Sequence, residues 1–256
     1  ITVKGGSNND TLVLTANGAN NEILVEAGAG DDSVTIGNTL TNAAATTAGD
    51  VLKGGTGTDT LAGDVDLFDA ATAGITGLTT YTGVSEFEIL SLSGFGAEDN
   101  TVNLDNIQAG LTTVAVTTAL DGTNARGLTL NAPGDLTVQI NGSAILDGDT
   151  LTVDSGAGTA DSLTISQTSK ATTTNQMGAN DTNITATDFE TVTIDSGTYN
   201  TATPQLLNAI NVGAANALVL TGGNGITTTA TNGIITAKTI DASALRGGLI
   251  MNVAAA

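Results

Sequence analysis

A nine-residue segment with three glycines and one aspartate, residues 54–62, constrains the fold of this chain most. It reads Gly-Gly-Thr-Gly-Thr-Asp-Thr-Leu-Ala, and looser copies occupy residues 5–13 and 27–35. Glycines let the backbone turn through positive φ and present carbonyl oxygens, and the aspartate adds a hard anionic oxygen of the kind that Ca²⁺ prefers. The apolar residue two positions later points into a core, because strand side chains alternate. Each copy therefore predicts a turn between strands that offers oxygen atoms to a cation.

The composition favours many short strands over helices. The chain has 256 residues, of which 40% are hydrophobic but only 2% are aromatic, so its core must consist of small aliphatic side chains. Gly is frequent, at 33 residues, and Pro is rare, at 2, a mixture that suits strands stacked through glycine turns. No segment reaches the ~18 continuous apolar residues of a membrane helix, so we expect no membrane insertion.

The charge balance is strongly acidic, with 26 Asp and Glu against 6 Lys and Arg residues and a net charge of −20. Phosphate binding requires clustered Lys and Arg, so we predict no nucleic acid partner. A chain with this charge attracts cations, although solubility alone is an alternative explanation of the charge. Because the chain has no Cys and no His, zinc and copper are not expected, and Ca²⁺ or Mg²⁺ is the expected metal.

Apolar and polar residues alternate in short segments along most of the chain, for example in residues 33–36, 113–116 and 136–140, and this alternation predicts strands. The aspartates of the three nine-residue copies recur about every two dozen residues, which is the length of one turn of a solenoid. A second phrase also occurs twice. Residues 85–94 and 187–197 both contain an acid, then Phe-Glu, then an alternating strand that ends in Gly, which indicates one structural turn used twice.

Residues 66–73 and 203–214 have helical patterns; in the second, Thr203 can cap and Pro204 suits the first helical position. We therefore predict an all-β chain that forms a right-handed parallel β-helix or β-roll-like solenoid with short helical insertions. The solenoid spans residues 1–256, with glycine–aspartate turns in residues 1–65 and more degenerate turns in residues 66–256. Tandem Ig-like β-sandwiches are the alternative fold, since strand spacing alone does not distinguish them.

The nine-residue pattern, the Phe-Glu phrases and the Thr- and Ala-rich strands together resemble RTX-type calcium-binding bacterial surface-layer (S-layer) proteins. This resemblance implies a secreted protein at the bacterial cell surface that binds several Ca²⁺ ions. It also implies that copies of the chain assemble into a calcium-dependent lattice, and that cell-surface polysaccharide is a candidate partner.

The resemblance further implies that ions lie between consecutive turns. The expected carboxylate ligands are Asp10, Asp32 and Asp59, and the expected carbonyl ligands are Gly6, Asn8, Gly28, Gly30, Gly55 and Gly57. Further candidate ligands are Asp31, Asp64, Asp99, Asp161 and Asp181. The alternative for each aspartate is a local turn in which its side chain hydrogen-bonds nearby backbone.

These observations predict a secreted structural protein, a calcium-dependent subunit of a bacterial surface layer or extracellular scaffold. The alternative function is a calcium-stabilised repeat module of a large bacterial adhesin. We predict no enzyme, because the chain has no His for a catalytic triad, no phosphate-binding loop and few aromatic side chains to hold a sugar. The chain opens at Ile1 without Met, so we expect a segment of a longer or processed protein.

Overall fold

A computed structural model describes residues 1–15, 22–37, 49–69, 82–96, 98–118, 120, 126–141, 149–156, 158, 160–167, 183–197, 205–207, 209–213, 217–228 and 237–252. The chain divides into two compact units. Unit 1 consists of Ile1–Gly94 and Asn100–Val114, and unit 2 consists of Phe95–Asp99 and Ala115–Ala256.

Unit 1 is built from short strands that alternate between two parallel sheets. In chain order they are β1 (Thr2–Lys4), β2 (Thr11–Leu14), β3 (Leu24–Ala29), β4 (Ser33–Ile36), β5 (Val51–Thr56), β6 (Thr60–Asp64), β7 (Val84–Ser85) and β8 (Ile89–Ser93). Strand β9 (Asn100–Asn103) follows them in the chain and belongs to neither of these two sheets. One sheet has the order β1-β3-β5-β7, and the other contains β2-β4-β6-β8. A 3₁₀ helix (Val65–Leu67) and helix α1 (Leu104–Ile107) complete this unit, and β10 (Thr113–Val116) contains the division between the units in sequence.

Unit 2 follows the same scheme. Its strands are β11 (Gly127–Asn131), β12 (Leu136–Ile140), β13 (Thr150–Asp154), β14 (Ser162–Gln167), β15 (Asn183–Thr187), β16 (Thr191–Asp195), β17 (Gln205–Leu207), β18 (Ala209–Asn211), β19 (Ala217–Gly222), β20 (Ile226–Thr228), β21 (Thr239–Leu245) and β22 (Leu249–Ile250). Strands β12-β14-β16-β19-β21, β11-β13-β15-β18 and β17-β20-β22 are neighbours in three sheets, and all of these pairings are parallel.

The core of each unit consists of equivalent apolar residues stacked from turn to turn. In unit 1, Val34, Leu61 and Leu90 are register partners on β4, β6 and β8, and all three are fully buried. On each of these strands, the residues immediately before and after the buried residue point outward, as strand alternation requires. Parallel stacking of successive turns confirms the predicted β-solenoid. The alternative of Ig-like sandwiches is wrong, since those are built from antiparallel strands.

The structure also tests the strands and helices predicted for particular segments. The strands predicted at residues 33–36, 113–116 and 136–140 are confirmed with the same bounds. The helix predicted at residues 203–214 is wrong, because β17 and β18 occupy its described part.

The physical reason is pairing: β18 adds to β15 in parallel, with Ile184 opposite Ile210. Ile210 and Val212 are both buried, and their spacing of two residues is that of a strand.

Of the helix predicted at residues 66–73, the structure describes residues 66–69. Asp66 and Leu67 end the 3₁₀ helix, Phe68 is its C-cap, and Asp69 forms an isolated antiparallel bridge with Val102. Residues 70–73 lie outside the described residues.

Candidate functional site

Four acidic residues form a hydrogen-bonded ladder across the turns of unit 1. The N–H of Asp10 donates to Oδ1 of Asp32 (2.8 Å), the N–H of Asp32 donates to Oδ1 of Asp59 (2.7 Å), and the N–H of Asp59 donates to Oε2 of Glu88 (2.8 Å). The steps along the chain are 22, 27 and 29 residues. Each acid stands directly before an even-numbered strand, and parallel register places it beside the acid of the next turn. We call these four residues the acid ladder.

Two members of the acid ladder are buried with an unpartnered oxygen. Asp32 is 2% exposed and Asp59 is 0% exposed. In both carboxylates Oδ1 accepts a backbone N–H, but Oδ2 is buried and has no hydrogen-bond partner in the described structure. A buried charged oxygen without a partner is unfavourable. The arrangement therefore leaves two anionic oxygens that a cation would satisfy.

The electrostatics of Asp59 agree with this geometry. Burial raises the pKa of the Asp59 carboxyl above its ordinary value, and the negative charges of Asp32, Glu88 and Asp31 raise it further. The hydrogen bond from the Asp32 N–H opposes this rise in pKa. These surroundings therefore disfavour the charged carboxylate form of Asp59. No positively charged side chain of the described structure contributes to its pKa.

Glycine backbones stack against one another beside the acid ladder. Gly28 and Gly55 have φ values of +124° and +115°, a region that side chains rarely adopt. A Cβ atom on Gly55 would overlap the carbonyl oxygen of Gly28, and one on Gly57 would overlap that of Gly30. The carbonyl oxygens of Gly28 and Gly30, which we predicted as ligands, therefore lie against the glycine of the following turn.

The first turn differs from the other two. The carbonyl oxygen of Gly6 accepts the N–H of Ala29 (3.0 Å), and the N–H of Gly6 donates to Oδ2 of Asp10 (2.8 Å). Asn8 is not among the described non-glycine residues with positive φ, so this turn forms without a left-handed residue at that position. The carboxylate of Asp10 is consequently used within its own turn, in contrast to those of Asp32 and Asp59.

Asp31 belongs to a second, exposed column of hydrogen bonds at the rim of the same turns. Its N–H donates to Oδ1 of Asn9, and its own Oδ1 accepts the N–H of Thr58, both at 2.9 Å. The structure therefore brings the ligands predicted in the three nine-residue copies into one region of unit 1. Asp31 lies at the solvent side of that region.

The remaining predicted ligands lie elsewhere. Asp64 caps the 3₁₀ helix by accepting the N–H of Asp66 (3.1 Å), and exposed Asp99 accepts the N–H of Gly127 (2.8 Å). In unit 2 the N–H of Asp161 donates to Oε2 of Glu190 (2.6 Å), and the buried Oδ2 of Asp161 has no partner in the described structure. Asp181 lies outside the described residues.

Glu88 and Glu190 were not predicted as members of the site. Each follows a buried phenylalanine, Phe87 or Phe189, in the phrase that occurs twice in the sequence. The position of Glu88 in the sequence could have indicated its role, because it stands directly before a strand, where the other turns have Asp. Its longer side chain accepts the N–H of Asp59, just as the side chain of Asp59 accepts the N–H of Asp32.

The carboxylates alone do not complete a metal site. Within the described ranges, no three His, Cys, Asp or Glu side chains are grouped so that they could hold a metal ion. A cation at Asp32 and Asp59 would therefore need carbonyl or water oxygens as well, a donor set that suits Ca²⁺.

Two further observations concern the whole chain. No helix in the described part is long and apolar enough to cross a membrane. No protein-family model, curated protein or solved structure matches the chain.

Proposed function

We propose that this chain is a secreted structural protein whose folding depends on Ca²⁺ bound at Asp32 and Asp59. In this proposal it is a subunit of a bacterial surface layer or another extracellular scaffold, with no catalytic activity. The observation that supports the cation site most directly is the pair of buried, unpartnered Oδ2 atoms in the acid ladder. The surface-layer role rests on the sequence resemblance.

The chemistry of the donors favours calcium over other metals. Asp32 and Asp59 supply hard carboxylate oxygens, and Glu88 and Asp31 add negative charge nearby. Ca²⁺ accepts 6–8 oxygen ligands in flexible geometry, whereas Mg²⁺ demands near-ideal octahedral coordination. Thiolate and imidazole ligands are absent from the sequence, which contains no Cys and no His.

Binding to the folded state alone couples calcium to folding. A site occupied at ~100 times its Kd stabilises the folded state by about 2.7 kcal/mol, a large share of the roughly 5–15 kcal/mol of a typical domain. Each ion also neutralises two charges in a chain whose net charge is −20. The chain would thus remain poorly folded at low calcium inside the cell and would fold in a calcium-rich medium outside.

A thermal unfolding series followed by circular dichroism tests the cation site. We expect the Tm of the wild-type chain to rise from chelator to millimolar Ca²⁺, and Asp59→Asn and Asp32→Asn to reduce that rise strongly. Asp135→Asn is the matched control, because Asp135 is an exposed aspartate of unit 2. An identical Tm of the wild-type chain with chelator and with Ca²⁺ would refute the calcium-dependent folding.

Electron microscopy in millimolar Ca²⁺ tests the surface-layer role separately. Sheets or filaments of the purified chain are expected for a lattice subunit. Monomers that fold with Ca²⁺ but do not assemble would contradict the lattice and would instead favour the adhesin module.

A further inference from the structure

The first turn (residues 1–14) and the last turn (residues 237–252) expose apolar side chains of a kind that the inner turns bury. Leu12 on β2 is half-buried, whereas its register partner Val34 on β4 is fully buried. Ile240 on β21 is half-buried, whereas its register partner Leu218 on β19 is fully buried. The large apolar side chains that are exposed in the described part also lie in these two turns, and they are Ile1, Val13, Leu249 and Ile250. Each of these turns therefore presents an apolar surface of the kind that marks an interaction site.

Strands β2 and β21 each have a strand neighbour on one side only in the described structure. The neighbour of β2 is β4, from the following turn, and the neighbour of β21 is β19, from the preceding turn. A sheet edge that no strand covers tends to pair with another strand. Because both pairings are parallel, a following turn would add to the open edge of β21, and a preceding turn would add to the open edge of β2. The two open edges are therefore complementary to each other.

The charges beside these two edges are also complementary. Asp10 stands directly before β2, and exposed Lys238 stands directly before β21. The carboxylates of Asp32 and Asp59 accept the N–H of the equivalent residue in the preceding turn, but the Asp10 carboxylate accepts the N–H of Gly6 in its own turn. The last turn holds two cations and one anion in a chain whose net charge is −20, and these residues are Lys238, Arg246 and Asp241. A turn with this charge balance attracts an acidic surface.

We infer that β21 of one copy of this chain pairs in parallel with β2 of a second copy, and this inference rests on the proposed function as an assembling subunit. Side-chain alternation restricts the pairing to registers that keep inward residues inward. One such register places Lys238 opposite Asp10 and Ile240 opposite Leu12, so it pairs the charges and covers both apolar side chains. A contact between two different edges is heterologous and repeats from copy to copy, which gives a filament or a ring.

A charge exchange tests this contact. With Lys238→Asp, or with Asp10→Lys, we expect the concentration needed for assembly in Ca²⁺ to rise about tenfold or more, because like charges then face each other. The two substitutions combined in one chain should restore assembly, since each contact again pairs opposite charges. Lys53→Asp is the matched control, because it makes the same change of charge on the outer surface of β5, away from both edges. Sedimentation velocity measures assembly, and circular dichroism and the calcium-induced rise in Tm verify folding.

A crosslinking experiment keeps the inference testable if the charge variants do not fold. The chain contains no Cys, and Thr11 and Thr239 are exposed positions that lie opposite each other in the inferred register. Neighbouring strands are about 4.8 Å apart, within reach of a disulfide. Oxidation in Ca²⁺ of a mixture of Thr11→Cys and Thr239→Cys chains should link one variant to the other, whereas neither variant alone should form a dimer.

The outcomes separate this contact from the proposed function. If folded Lys238→Asp assembles like the wild-type chain, or if the mixture gives no link between the two variants, the contact is wrong. The proposed function then stands, and another segment or partner covers these edges. Failure of the wild-type chain to assemble at all would overturn both the contact and the lattice.

Discussion

Both units contain the same corner, which consists of an acid with positive φ, a buried phenylalanine and a glutamate. Glu86 and Asp188 have φ values of +64° and +62° and are the only non-glycine residues of the described chain in that region. In unit 1 the Glu88 carboxylate accepts the N–H of Asp59, and in unit 2 the Glu190 carboxylate accepts the N–H of Asp161. The backbone N–H of each glutamate returns to the carbonyl of the same aspartate.

The turns that precede these corners differ. In unit 1 the acid ladder continues from Asp59 to Asp32 and Asp10 through stacked glycines. In unit 2 the preceding turn offers Asp135 in another position, where it accepts the N–H and hydroxyl of Ser162. The corner is therefore complete without a ladder. Within the described structure, the corner of unit 2 has one buried carboxylate oxygen without a partner, on Asp161, whereas the ladder has two, on Asp32 and Asp59. The ladder also joins its acids in a continuous series of hydrogen bonds between turns.

The largest expected effect tests whether the two corners are equivalent. Phe87 and Phe189 are 0% and 2% exposed, so Phe87→Ala and Phe189→Ala should each reduce the free energy of unfolding by about 3–5 kcal/mol. Urea unfolding measures both. A loss of free energy of unfolding that is large in one unit and small in the other would show that the corner contributes differently to the stability of the two units.

The next effect separates glycine stacking from glycine conformation. Gly55→Ala should destabilise by about 3 kcal/mol, because it combines a left-handed backbone with overlap of the Gly28 carbonyl. Gly134→Ala in unit 2 should cost only about 1 kcal/mol, since Gly134 also has positive φ (+90°) but nothing lies within 4 Å of its added Cβ. Equal costs in urea unfolding would contradict close stacking as the source of the extra cost at Gly55.

A smaller effect concerns the strained acids themselves. Glu86→Gly and Asp188→Gly should each stabilise by about 0.5–1 kcal/mol, because glycine adopts positive φ without steric cost. Thr187→Gly, within β15, is the control and should destabilise, since glycine weakens a strand interior. If both corner variants lost stability in thermal unfolding, the two acidic side chains would have a role beyond their backbone conformation.

The smallest effect is a difference in pH dependence in calcium-free buffer. The pKa of Asp59 is raised, so its contribution to stability falls as pH rises above the unfolded-state pKa, and the loss is complete above the folded-state pKa. The pKa of Asp135 is lowered by the hydrogen bonds from the Ser162 side chain and backbone, so its contribution is present above the unfolded-state pKa and is lost as pH falls through the folded-state pKa.

Asp59→Asn should therefore raise stability at neutral pH relative to acidic pH, and Asp135→Asn should lower it. Urea unfolding between pH 3 and pH 7 measures both changes. Shifts of the same sign in the two variants would contradict the opposite environments of these aspartates.

Part of the candidate site was predictable from sequence, because its residue types and local spacing reflect local rules. A glycine-rich turn followed by Asp and an alternating strand identified Asp10, Asp32 and Asp59. Glu88 was missed because it joins the ladder only through the register of β6 and β8, in which Thr60 lies opposite Ile89. The helix predicted at residues 203–214 failed for a similar reason, since pairing with β15 overrides a local helical pattern.

The alternation of inward apolar residues and the positions of most turns follow from neighbouring residues along the chain, and the excess of negative charge follows from composition. Which carboxylate oxygens are paired and which are buried without a partner cannot be derived in that way. That choice depends on hydrogen bonds between residues 22–29 positions apart. Such contacts form only when successive turns stack in register, and connections of different lengths can satisfy the same register.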